Sequence, residues 1–131
     1  MEILKTEYEL KGHKVDPAGR VIDLTLEGSQ VNDQALGYVS KLKMLQGLSI
    51  KGSSVTDAGL ISLHGLKRLQ MFNVMAPNVT DSGFASLQNI PSLRLIWVNQ
   101  TEKLTERGFD FLKEAIPGVH IYVMNRPQRK Q

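Results

Sequence analysis

Four acidic side chains recur along the chain, Asp33, Asp57, Asp81 and Glu106, each directly after Asn32, Thr56, Thr80 or Thr105. Carboxylates beside hydroxyls could hold a metal or serve as general acid and base. Recurrence argues for another job. Asn and Thr are helix N-cap residues, and an acid in the first turn meets the positive end of the helix dipole. A cap is needed at every helix, whereas an active site is needed once. The three histidines add no chemistry of their own: His13, His64 and His120 are far apart, with no two at metal-ligand spacing on one helix face. His120, on the last strand, lies nearest the surface patch described below. With no cysteine there is no thiolate nucleophile, disulfide or zinc-cysteine site. The glycines in "EGS" and "KGS" belong to no phosphate-binding G-x-x-x-x-G-K motif, and no nucleophile-elbow serine occurs. The residues therefore point to a non-enzyme that carries no metal or cofactor.

The elements around these acids repeat with them. Shifted by 24 residues, the sequence aligns Leu24, Leu48, Phe72 and Ile96 in one column, and Leu26, Ile50, Val74 and Val98 two positions on. Three more columns are Val31, Val55, Val79 and Leu104; Leu36, Leu60, Phe84 and Phe109; and Val39, Leu63, Leu87 and Leu112. The last unit has one extra residue near "QTEK", and Ile121 and Val123 then restart the strand columns. Around Leu48–Lys51 the apolar positions alternate, as in a strand with one buried face. From Thr56 they fall at Leu60, Leu63 and Leu66, as in a helix with one buried stripe. Each unit is thus one strand, a tight corner and one short helix, and it buries its apolar stripes only by stacking on its neighbours. A column of small residues, Ala35, Gly59, Gly83 and Gly108, stands inside each helix start, where Gly costs up to about 1 kcal/mol against Ala. Something must pack closely there, and Ala35 suggests that size matters more than backbone freedom. Lys41, Lys43, Lys67 and Arg68 are placed near helix C-termini, where the dipole favours them.

The pattern L-x-x-L-x-L, read at Leu45, Leu48 and Ile50, at Leu69, Phe72 and Val74, and at Leu93, Ile96 and Val98, resembles the leucine-rich repeat family. The continuations "VTDAGL" and "VTDSGF" look like the subclass in F-box-associated and bacterial arrays. The resemblance covers residues 20 to 124. It implies a right-handed α/β solenoid with a parallel sheet of about five strands on the concave face, short helices on the convex face, and a role in binding proteins. Where the family often has Asn or Cys after the strand, this chain has Ser29, Ser53, Pro77 and Thr101, and Pro77 cannot donate a hydrogen bond, so the third corner is expected to be irregular. With four and a half units, curvature should be slight.

The expected organisation is one domain over residues 1–125. It has an N-terminal cap (1–20), repeats at 21–45, 46–69, 70–93 and 94–119, a final strand at 120–125, and a flexible basic tail at 126–131. In the cap, residues 7–15 should pair antiparallel with residues 20–26 through the turn "DPAG". The helix of the last repeat should run to about Ala115 and stop at Pro117 and Gly118. The array reads as complete, with no obvious cover for its last strand.

The net charge of +3 lies wholly in the tail, on Arg126, Arg129 and Lys130, since the first 125 residues balance at 13 of each sign. A neutral body argues against nucleic acid as the partner. No apolar run reaches the ~20 residues of a membrane span, and the N-terminus lacks a signal-peptide pattern, so a cytoplasmic location is the default.

Residues between the buried strand positions form three outward columns: Asp23, Gly47, Met71, Leu95 and His120; Thr25, Ser49, Asn73, Trp97 and Tyr122; Glu27, Lys51, Met75, Asn99 and Met124. The first two strands are polar or bare there. The last three gather Met71, Met75, Leu95, Trp97, Tyr122 and Met124, the composition of a protein-binding hot spot. The reading is a protein-protein interaction module for a protein or peptide partner, anchored on Trp97, with Asn73 and Asn99 giving direction. The alternative is a structural or self-association module whose patch docks a second copy, as a homodimer, or a missing domain.

Overall fold

The computed structural model describes residues 10–52, 54–99 and 102–124. Among them, six strands make one sheet in chain order: β1 (Leu10–Val15), β2 (Val21–Glu27), β3 (Gly47–Lys51), β4 (Met71–Met75), β5 (Leu95–Asn99) and β6 (His120–Met124). Strands β2 to β6 run parallel, and β1 runs antiparallel to β2. Four α-helices connect them, α1 (Asp33–Val39), α2 (Asp57–Ile61), α3 (Asp81–Ala85) and α4 (Glu106–Ala115). The chain is therefore an α/β protein whose sheet is mostly parallel.

The alignment at 24 residues is also the sheet register. Leu48 pairs with Phe72, Phe72 with Ile96, and Ile96 with Ile121, so like stacks on like. Leu24, Leu26, Leu48, Ile50, Phe72, Val74, Ile96 and Val98 are buried toward the helices. Leu36, Leu60, Phe84, Phe109 and their followers Val39, Leu63, Leu87 and Leu112 close the core from the other side. Each such side chain contributes about 1.5–3 kcal/mol by leaving water. Phe84 and Phe109 meet edge to face, their centroids 5.5 Å apart.

The middle helices are shorter than the sequence suggests. α2 and α3 each last five residues and continue as 3-10 turns, Ser62–Gly65 and Ser86–Asn89. The spacing of exactly three between Leu60, Leu63 and Leu66 matches the three residues per turn of that tighter helix. The Ser62 and Ser86 hydroxyls donate to the carbonyls of Gly59 and Gly83 at 2.6 and 2.5 Å, which occupies acceptors at the end of the α-helical turn. α4 ends at Ala115 as expected, and Gly118 turns the chain at φ 90°. Lys67 and Arg68 follow the 3-10 turn, and neither α1 nor α2 has a base in its last turn, so the dipole does not account for these cations.

The repeated acids lie in the first turn of each helix, as the sequence implies, and the three aspartates do more. Asn32 caps α1, accepting from the Ala35 N–H at 3.0 Å. Thr56, Thr80 and Thr105 occupy the cap position of the next three helices but make no side-chain cap bond. Their hydroxyls donate instead to the acid one unit earlier: Thr56 to Asp33, Thr80 to Asp57 and Thr105 to Asp81, each at 2.5 Å. The second oxygen of each carboxylate accepts the backbone N–H of the same threonine, at 2.7, 2.7 and 2.9 Å. Each aspartate thus joins two successive helix starts, with the stronger bonds of an ionised acceptor.

This arrangement explains the small column. A Cβ on Gly59 would come within 2.5 Å of Asp33 Oδ1, and Cβ atoms on Gly83 and Gly108 would meet Asp57 and Asp81 closer still. Ala35 is tolerated because its helix is the first, with no aspartate behind it. The column marks room for a carboxylate.

The first hairpin forms as expected over residues 10–15 and 21–27, and residues 7–9 lie outside the described set. Asp16 organises its turn. The Gly19 N–H donates to the Asp16 carbonyl at 2.8 Å, and the carboxylate accepts from the N–H groups of Ala18 and Arg20 and from Arg20 Nε. The third corner is regular, contrary to the expectation drawn from Pro77. Val79 N–H donates to the Ala76 carbonyl as Val55 does to Gly52, and the bridge Thr56 to Asn78 repeats Asn32 to Ser54. The proline takes a place that asks for no donor. Ser53 and Thr101 lie outside the described residues, as does the tail 126–131.

Candidate functional site

The helices cover one face of the sheet and leave the other open. Alternation along β4, β5 and β6 sends the proposed site residues to that open face, because their neighbours Phe72, Val74, Ile96 and Val98 fill the core. The parallel register then sets them in rows: Met71, Leu95, His120; Asn73, Trp97, Tyr122; Met75, Asn99, Met124. All eight predicted residues are brought together. Met71, Tyr122 and Met124 are exposed, at 45%, 52% and 48%, while Asn73, Met75, Leu95, Trp97 and Asn99 are half-buried.

Trp97 and Tyr122 stack, with ring centroids 6.3 Å apart and planes at 25°. Offset stacking of this kind adds about 0.5–1.5 kcal/mol beyond burial and fixes both rings. The pair therefore presents a rigid apolar surface with the phenol hydroxyl on the more exposed ring.

The surface reaches further toward β2 than the sequence indicates. A shallow depression of about 160 Å³ runs from Trp97 and Met71 across Asn73 to Ser49, Gly47 and Asp23. Its floor is open because Gly47 has no side chain, and a Cβ there would stand 2.9 Å from the Asp23 carboxylate. Gly47 is itself buried, so the outward columns are not evenly exposed. The signal was present in the sequence: position 47 is the one glycine in an outward column. At the other end of the strands a second depression of about 250 Å³ lies among Glu27, Lys51, Met75 and Pro77.

The recurring aspartates Asp33, Asp57 and Asp81 sit away from this face, spent on threonine contacts. Among the described residues no group of three or more His, Asp or Glu side chains is placed to hold a metal ion. No helix is long and apolar enough to cross a membrane among these residues. No family model matches the chain, and no curated protein matches it.

Proposed function

We propose that this chain is a small leucine-rich repeat solenoid and a non-catalytic binding module, taking a protein or peptide partner on the open face of β4, β5 and β6. The repeat reading is supported by the 24-residue register, the parallel strands in chain order and the aspartate joints between units. The observation that carries the function is the stacked Trp97–Tyr122 pair standing on a helix-free face among exposed methionines. The core does not need these rings for its own packing, since Phe72, Val74, Ile96 and Val98 already fill the space between sheet and helices.

The partner presents an apolar knob or an extended segment. Its apolar group settles on Trp97 and Tyr122, methionines adapt to its outline, and Asn73 and Asn99 meet its backbone polar groups. Hot-spot aromatics of this kind cost about 2 kcal/mol or more when truncated.

The test immobilises wild type, Trp97→Asp and Tyr122→Ser side by side and compares what each retains from a cell extract. Both variants should lose a protein that wild type holds, with circular dichroism and melting close to wild type. Tyr122 is half exposed, so its replacement guards against the case where Trp97→Asp disturbs the fold. Equal retention by all three, with folds intact, would sink the reading.

A further inference from the structure

We propose that the free edge of β6 and the outer side of α4 form a self-complementary surface that pairs with a second copy of this chain across a two-fold axis. The site lies at the end of the sheet and adjoins the open face at Tyr122.

The two sheet edges differ. β1 has register irregularities at Leu10/Gly12 and Lys14/Val15 and carries the exposed Lys14, devices that discourage strand addition. β6 reads His-Ile-Tyr-Val-Met, with no lysine, acid, proline or bulge, and no described strand lies beyond it. The His120 N–H donates back to the Arg94 carbonyl at 2.9 Å. Alternation then turns the N–H and C=O of Ile121 and Val123 away from β5, toward the edge. An antiparallel second β6 centred on Tyr122 brings Ile121 opposite Val123 of the second copy, and Val123 opposite its Ile121. Each pair exchanges both backbone hydrogen bonds.

The helix side fits the same axis. Gly108 faces Asp81 of α3, and the exposed Glu106 and Lys113 are turned from it by about 140–160° around α4, while Phe109 is buried against Phe84 of α3. With Ile121 and Val123 they line a cavity of about 240 Å³ beneath β6. The strand pair centres on Tyr122, and the proposed two-fold axis runs through this cavity between the two α4 helices. It sets Glu106 of each copy against Lys113 of the other, as an isologous contact requires. No described helix lies beyond α4 at this end of the sheet.

The full chain is measured by sedimentation equilibrium over a wide concentration range. Expected is a dimer that halves in mass on dilution. Val123→Pro removes an edge N–H that β5 does not use and should give a folded monomer. Glu106→Lys and Lys113→Glu should each weaken association about tenfold or more, and the two together should restore it, with circular dichroism confirming the fold of each. Trp97→Asp should leave the dimer intact, which separates this surface from the partner-binding face. A wild type that is monomeric throughout overturns the proposal, and so does a dimer indifferent to Val123→Pro. A monomer that dimerises only after removal of residues 126–131 assigns the edge to the chain's own tail and overturns it as well.

Discussion

Gly108 and Asp81 are the sharpest place to test the joints between units. Ala is the better helix former by about 1 kcal/mol, so helix propensity alone predicts that Gly108→Ala stabilises. The geometry predicts the reverse. The new Cβ would strike the Asp81 carboxylate, whose Oδ1 and Oδ2 already serve Thr105, and overpacking of this kind costs about 1–3 kcal/mol. Asp81→Ala should also destabilise, by leaving the Thr105 N–H and hydroxyl without their acceptor. Together the two changes should cost less than their sum in urea denaturation, because the Asp81 Cβ that remains lies at an ordinary 3.4 Å. Strict additivity would refute the steric account. The same pair at Gly83 and Asp57 should show less relief, since there the Asp57 Cα itself is close, at 2.7 Å.

Among the elements, the hairpin of β1 and β2 depends on the turn at Asp16. The Arg20 N–H donated to its carboxylate, helped by the Arg20 guanidinium and the Ala18 N–H, holds the Asp16 carboxyl below its ordinary value of 3.8. A carboxyl with a depressed folded value stabilises the fold above its unfolded value, and this stability is lost as pH falls through the folded one. Asp16→Asn should therefore melt below wild type at neutral pH, with the gap closing once pH drops under about 4. Melting curves from pH 7 to 2 decide it: a gap that stays constant would mean the charge of Asp16 plays no part. The short helices carry the complementary lesson. In α2 and α3, apolar residues three apart and serines bonding back to glycine carbonyls accompany a 3-10 ending, whereas α1, with Ser40 bonding the Gly37 carbonyl, ends without one.

Across the molecule, one continuous apolar core runs from Leu24 to Val119, with no polar layer dividing it among the described residues. Trp97, the sole tryptophan, reports on β5 near one end, while far-UV circular dichroism reports on every helix and strand. The two should trace the same urea transition, with an m-value of about 1–3 kcal/mol/M. A fluorescence transition that precedes the dichroism would mean that β5 and β6 open before the rest, and the end of the sheet would then be a separate unit of stability.

The sequence by itself determined the strand and helix columns, the placement of the eight open-face residues on one side of the sheet, and the turn at Asp16. Each follows from a local period or a local turn preference, which backbone geometry translates directly into direction. Only the tertiary structure decided what the repeated aspartates do, why the column beside them is small, and that Pro77 causes no disturbance. A residue 23 or 24 positions away is the partner in every joint, so the periodicity locates Asp33 and Thr56 without telling which oxygen meets which hydrogen. The same holds for the open face. Alternation put Trp97 and Tyr122 in adjacent rows, while their stacking and the hollow over Gly47 arise from the distances between strands.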